Sequence, residues 1–315
     1  MNSMQVKDNL KNIAVKRNLD FNTLLRLYMY DRFIERLAVS KYRDNFILKG
    51  GFYLSKLFGL ESRSTKDIDT AIKDANFTKE NVEKMIKSII AIDINDGALI
   101  SFIEIGNIRE EDQYGGFRVI LNVKVDTIRE NFQIDIATGD PITPKPIVYK
   151  YRPILGDSYV NVWSYNIETV IAEKLETILR RAEANSRIRD YYDLYLIYTK
   201  GWNDVKIDDL RKAVDKTFEK RDYTGNIEEV VAILKDSEII KNRWDSYKKK
   251  YEYANDIDYE QVYRDLPEAD FSYVHNVDPG ELYDTQSTSW SPYPLFRLTS
   301  PLFFKSTTIE PGYYL

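Results

Sequence analysis

The stretch FILKGGFYLSKLFGLESRSTKDIDTA, residues 46–71, decides how this chain is read. A short apolar run, Phe46-Ile47-Leu48, stops at Lys49-Gly50-Gly51. Amphipathic turns follow through Phe52, Leu54, Leu57 and Phe58, then Arg63-Ser64-Thr65 and Asp67-Ile68-Asp69. The order predicts a strand, a glycine turn, a helix and a second strand. Residues i and i+2 of a strand share a face, so Asp67 and Asp69 stand side by side while Ile68 points into a core. Paired carboxylates repel each other unless a cation sits between them. Mg²⁺ is commonly held by one or two carboxylates together with substrate phosphates. Glycines let backbone N–H groups approach phosphate oxygens, and the start of the following helix favours negative charge. An Asp-x-Asp by itself also occurs on solvated strand edges. The glycine pair upstream makes this one a candidate site for a cation and a triphosphate.

A glycine pair, a helix and then Asp-x-Asp resembles the signature of the nucleotidyltransferase superfamily, whose fold is polymerase-beta-like. The longer string, Lys49-Gly50-Gly51 followed by Arg63-x-Thr65-x-Asp67-Ile68-Asp69, is more narrowly similar to the AbiEii/AbiGii nucleotidyltransferase toxins. Those belong to bacterial abortive-infection and type IV toxin–antitoxin systems. The general superfamily often has Gly-Ser where this chain has Gly50-Gly51, and a shorter gap to the first aspartate. Both departures agree with the narrower family. The resemblance implies that Asp67 and Asp69 bind Mg²⁺, and that Gly50, Gly51, Arg63 and Thr65 hold the phosphates of an NTP.

Two later segments carry the same resemblance. Phe132-Gln133-Ile134-Asp135-Ile136-Ala137 reads as a strand, with Asp135 in an inward position between two isoleucines. A buried carboxylate without partners is costly, so an acid in that setting calls for a reason. The resemblance implies that Asp135 completes the metal site and helps deprotonate the attacking hydroxyl. Asp126 is the competing acid, and Asp140 reads as a turn residue. Farther on, Ala172-Glu173-Lys174-Leu175 and then Arg189-Asp190-Tyr191-Tyr192-Asp193-Leu194 resemble the helical hallmark of the toxins. By that resemblance Lys174 faces the nucleotide phosphates and Asp190 orients it or a neighbouring arginine. Asp193 lies three residues on, on the same helix face. Taken alone, these charges also suit an ordinary helix pair laced by salt bridges. Arg180, Arg181 and Arg187 either meet an acceptor polyanion or pair with Glu173, Glu176 and Glu183.

Composition narrows the chemistry. The 315 residues contain no cysteine and one histidine, His275, which excludes thiol catalysis, disulfides and zinc fingers and leaves no histidine-based triad. Carboxylates, lysines, arginines and tyrosines remain, an inventory suited to phosphoryl or nucleotidyl transfer. Net charge is −5, which argues against a general nucleic-acid coat protein but allows one local basic face. No run of about 18 apolar residues occurs, and the first residues lack the apolar core of a signal peptide. The expectation is a cytoplasmic protein with no membrane partner.

Hydrophobic spacing predicts helices over 5–41, with Asp20 or Asn22 as a cap and Arg32 and Arg36 in solvent. A helix from Thr78 to about Ile90 and strands at 99–105 and 117–125 follow, the two strands joined by a polar loop from Arg109 to Gly116. Residues 141–165 read as an irregular, proline-containing crossover. Further helices are expected at Ile207–Lys220, Asn226–Leu234, Ser237–Tyr253 and Asp258–Leu266, with Trp244, Tyr247 and Tyr251 as core. The expected architecture is α/β (α+β): a nucleotidyltransferase-type mixed sheet with flanking helices over residues 1–160, a helical domain over 161–268 and an irregular tail over 269–315.

The resemblance implies transfer of a nucleoside monophosphate from an NTP to an RNA, with tRNA the expected acceptor, and neutralisation by a cognate antitoxin. Phage defence is the biological setting it implies. Three alternatives stay open: a small hydroxylated compound as acceptor, a protein hydroxyl as acceptor, or an interaction module that binds nucleotide without turnover.

Overall fold

Strand β1 (Phe46–Lys49) sends alternate side chains into two different cores. Phe46 and Leu48 pack with helices α1 (Ser3–Arg17), α2 (Phe21–Val39) and α4 (Lys79–Ile90) on one face of the sheet. Ile47 packs on the other face with Tyr53 and Leu54 of α3 (Gly50–Phe58) and with the helices beyond residue 166. The computed structural model describes residues 3–264 apart from 66, 109–114, 139 and 157. The expected tail at 269–315 and most of the polar loop at 109–116 lie outside the described residues.

Seven strands form one mixed sheet in the order β3-β4-β5-β2-β1-β7-β6. The other strands are β2 (Ile68–Ile72), β3 (Ala98–Asn107), β4 (Gly116–Val125), β5 (Ile128–Ala137), β6 (Ile147–Tyr151) and β7 (Val160–Ser164). β1 runs antiparallel to β2 and parallel to β7, while β2 runs parallel to β5. β4 and β5 form a tight hairpin that pairs Val125 with Ile128 and is turned by Asp126 and Thr127. Asp126 adopts a left-handed φ of 53°, and its carboxylate accepts from the Ser3 hydroxyl at 2.6 Å. The competing third acid is therefore a turn residue. Ile68, Ile134 and Ile136 all enter the core beneath α2.

Helix starts follow local capping rules. Asp20 accepts from Thr23 N, Thr78 from Asn81 N and Asn166 from Thr169 N, each satisfying a donor that the first helical turn leaves unpaired. After β7 the chain is helical: α5 (Ile167–Arg181), α6 (Ile188–Gly201), α7 (Ile207–Lys220), α8 (Ile227–Asp236), α9 (Glu238–Lys250) and α10 (Tyr259–Arg264). Trp244 is fully buried, and its indole N–H donates to Ile257 O at 2.9 Å. No helix among the described residues is long and apolar enough to cross a membrane.

Two expectations are corrected here. Residues 141–165 are not irregular throughout, because β6 and β7 form a hairpin that extends the sheet past β1. The prolines that obscured it, Pro141, Pro144, Pro146 and Pro153, all fall outside the two strands. Arg32 and Arg36 are not in solvent. Arg36 is buried and forks onto Asp96, with both bonds at 2.8 Å, while donating also to Ala98 O. Burial works against the Asp96 carboxylate, but the Arg36 bonds outweigh it and hold its pKa below the usual value. The partner lies 60 residues away, so helical periodicity could not reveal it.

Candidate active site

Strand register places four charged residues in one row. Lys49 of β1 pairs with Asp69 of β2, Asp69 with Asp135 of β5, and Asp135 with Arg118 of β4. Register partners on neighbouring strands point to the same face. That face is opposite the isoleucine core. Asp135 therefore does not hold an inward position between Ile134 and Ile136; those two turn into the core, while Asp135 faces the cleft with its side chain 20% exposed. Its flanking isoleucines reflect strand alternation. Asp67 stands two residues before Asp69, on the same side.

The acids repel one another. Partial burial and then the nearby Asp135 raise the pKa of both Asp67 and Asp69, the latter to about 6. Lys49 counteracts this at Asp69, and Arg118 at Asp67. Arg118 grips Asp135 with two bonds, Nε to Oδ1 at 2.8 Å and Nη2 to Oδ2 at 2.7 Å. Among the described residues, no group of three or more acidic or histidine side chains is placed to hold a metal ion. Asp67 and Asp69 fit a divalent cation by donor chemistry, since each carries an oxygen pair whose charge its neighbours disfavour. Asp135 has both oxygens engaged by Arg118.

The glycine turn closes one end of the row. Gly50 opens α3 with a φ of 60°, and a Cβ there would lie 2.6 Å from Asp69 Oδ2. A Cβ on Gly51 would overlap the Arg63 guanidinium. Both glycines are thus required by close approach, and the start of α3 abuts the acids. Arg63 is itself buried. Its Nε donates to Asp193 Oδ1 at 2.6 Å and its Nη2 to Asp193 Oδ2 at 3.2 Å. Thr65 is also buried and donates to Asp67 O at 3.1 Å. Both residues line the cleft, yet their bonds hold the segment that leads into β2.

Lys174 of α5 meets Asp190 at 2.6 Å and Asp193 at 2.7 Å, both on α6. Burial disfavours its charge, but the two aspartates more than compensate and raise its pKa. An ammonium carries three donors, so one remains beyond these two contacts. Arg187 stands 3.0 Å from the second oxygen of Asp190. Burial likewise opposes ionisation of Asp193, yet Arg63 and Lys174 bring its pKa down to about 2. Asp193 is the hub that ties the glycine-turn segment to the helices.

Between sheet and helices lies a cleft of about 1040 Å³. One wall carries Gly50, Gly51, Asp67, Asp69 and Asp135. The other carries Arg180, Arg181, Arg187 and Arg189 from α5, α6 and their connection, with Arg243, Tyr247, Lys250 and Tyr251 from α9 and its end. Arg189 donates to the Tyr251 hydroxyl at 2.6 Å and lies over its ring, 5.3 Å from the centroid. Arg180 pairs with Glu176 as one expected alternative had it. Asp140, read as a turn residue, is forked by Arg221 of the α7 end at 3.2 and 3.1 Å, with Lys49 3.7 Å away.

Sequence reasoning did not single out Arg118, Arg221, Arg243 or Lys250. Arg118 was within reach: once the two-residue turn at 126–127 is recognised, counting back along the hairpin places it opposite Asp135. The others depend on how helices dock, and no local pattern marks them.

The family model described as "Nucleotidyl transferase AbiEii toxin, Type IV TA system" matches residues 32–268. The chain belongs to the AbiEii nucleotidyltransferase toxin family. The AbiEii match spans both walls of the cleft and all of the residues just described. Similar solved structures include a protein from H. pylori described as a candidate nucleotidyltransferase, at 17% identity and a TM-score of 0.44 over 79% of this chain and 97% of that one. JHP933 from Helicobacter pylori is 16% identical, with a TM-score of 0.41 over 75% and 98%. An antigenic nucleotidyltransferase-like protein from Paracoccidioides brasiliensis is 14% identical, with a TM-score of 0.34 over 67% and 92%. No curated protein matches the sequence. As an AbiEii member this protein is a nucleotidyltransferase of a toxin family, with an NTP as its substrate class and an antitoxin as the implied partner.

Proposed function

We propose that this toxin transfers a nucleoside monophosphate from an NTP to a hydroxyl of an RNA, with tRNA as the acceptor, in a Mg²⁺-dependent reaction that a cognate antitoxin suppresses. The reading rests on one observation: a row of acids beside a glycine turn faces, across one cleft, a helical wall on which Arg180, Arg181, Arg187, Arg189, Arg243 and Lys250 outnumber Glu173, Glu176 and Asp190. Asp67 and Asp69, with Asp135 once its oxygens are released, would hold the cation. The bound ion would supply charge neutralisation for the triphosphate.

The chain's own groups have separate tasks. Gly50, Gly51 and the start of α3 bring backbone donors to the phosphates, and Arg63 and Thr65 keep that turn in place. Lys174, oriented by Asp190 and Asp193, offers its third donor to the pyrophosphate as negative charge gathers there. Asp135, facing the cleft, accepts the proton of the attacking hydroxyl once Arg118 has released it. The arginine wall receives the acceptor's phosphates, which favours a polyanion over a small cationic compound.

The test is incubation with Mg²⁺, each α-³²P-labelled NTP in turn and total bacterial RNA, beside the Asp67→Ala/Asp69→Ala double variant. Label in a tRNA-sized band only with the intact acids is expected. Label on protein would move the acceptor to a side-chain hydroxyl. No label, with nucleotide still bound, would remove the RNA acceptor.

A further inference from the structure

The third acid of the row is not free to bind a cation, because Arg118 occupies it. The guanidinium and the carboxylate are register partners on adjacent antiparallel strands, so the fold itself sets them face to face. Two parallel N–H···O bonds at 2.8 and 2.7 Å make the fork–fork geometry that gives an arginine–carboxylate pair its strength. Arg118 stands near Asp67 and Asp69 as well, since all three acids act on its charge. Its side chain is 44% exposed, against 20% for Asp135. Exposure matters here. A half-exposed arginine on a strand has room to swing off, and water lowers the cost of separating the pair. Arg36 shows the contrast: equally forked, onto Asp96, but buried and held also by backbone oxygens at Arg32 and Ala98.

The geometry points to Arg118 as a resident counter-ion that competes with the divalent cation for Asp135, so that the third ligand becomes available only when the guanidinium leaves it. The inference rests on the proposed cation role of the acids. Arg118 is a positioning residue: it sets when Asp135 can act, and while paired it engages, among the described residues, only that carboxylate. An anionic substrate offers the released guanidinium a new partner, which couples opening of the acid row to arrival of polyphosphate.

The experiment is a double-mutant cycle on cation affinity, with Mn²⁺ as the probe and electron paramagnetic resonance of free Mn²⁺ as the readout, without nucleotide. Proteins are the full chain, Arg118→Gln, Asp135→Asn, the double variant and Asp69→Asn, each checked for an unchanged circular dichroism spectrum. Arg118→Gln is expected to tighten Mn²⁺ binding about tenfold, the size of a single partly solvated charge contact. In the Asp135→Asn background the same change should tighten it less than threefold, because the competed ligand is gone. Equal tightening in both backgrounds would reduce Arg118 to a distant charge and overturn the proposal. So would unchanged affinity in Arg118→Gln. If Asp69→Asn binds Mn²⁺ as the full chain does, the cation site itself falls, and Arg118's role with it. A tenfold gain confined to proteins with Asp135 establishes the competition.

Discussion

Arg63 and Asp193 are 130 residues apart in the chain and form a buried two-point ion pair beneath the cleft. Neither side chain is more than 2% exposed. The pair fastens the segment leading to Asp67 and Asp69 onto α6, so the acid row and the helical wall keep their spacing. Removing one partner of such a pair strands the other charge in the interior. Asp193→Ala is therefore expected to destabilise the fold by about 3–5 kcal/mol. Urea titration followed by tyrosine and tryptophan fluorescence measures it; a loss below about 1 kcal/mol would refute the structural role.

The same aspartate gives a pH dependence with a definite sign. Its folded pKa, about 2, lies below the ordinary 3.8. The stabilisation is therefore fully present above about pH 4 and disappears as pH falls through the folded value near 2. A shift of this size corresponds to roughly 2 kcal/mol. Wild-type stability should fall over that window, and Asp193→Asn should lose that part of the slope. Parallel pH curves for the two proteins would contradict the assignment.

Asp69 works the other way. Its carboxyl is raised to about 6, so its charged form is disfavoured in the folded chain. Asp69→Asn should stabilise the EDTA-treated protein by about 1–2 kcal/mol, after allowance for partial solvent screening, while abolishing nucleotidyl transfer. Thermal melts beside a transfer assay decide it. A variant less stable than wild type in EDTA would show that the acid row is not under charge strain.

The glycine turn tolerates no side chain. Gly50→Ala places a methyl against Asp69 at a φ of 60°, and Gly51→Ala pushes one into Arg63. Each should cost about 1–3 kcal/mol of stability and weaken nucleotide binding. Calorimetric titration of the NTP against each variant is the check. Unchanged affinity in a correctly folded Gly50→Ala would separate this turn from the phosphates.

Lys250 tests the basic wall without touching the acids. It is exposed, at the end of α9, and lines the cleft. Lys250→Glu should raise KM for the RNA acceptor several-fold and flatten its salt dependence, with NTP affinity unaltered. An equal loss for RNA and NTP would place Lys250 at the nucleotide instead.

Much of this could be read along the chain. The strand–glycine–helix–strand order at 46–72, the caps Asp20 and Thr78, and the helices from Ile207 onward follow from local spacing and side-chain chemistry. The acids of β2 were legible because two-residue alternation is a property of the strand alone. The β6–β7 hairpin was hidden because prolines flank it and its pairing partner, β1, lies more than 100 residues earlier. Arg36 read as solvent-facing because Asp96, which neutralises it, belongs to another segment.

What the sequence determined by itself is therefore the kind of elements, the acids they carry and the family they resemble. Only the tertiary structure decided what those acids face. Strand pairing set Arg118 on Asp135 and Lys49 beside Asp69. Helix docking delivered Asp193 to Arg63 and Lys174, and Arg243 and Lys250 to the cleft. Local pattern reports only how a segment satisfies its own backbone and which face it buries. A charge finds its counter-charge through space, and long-range packing alone fixes that distance.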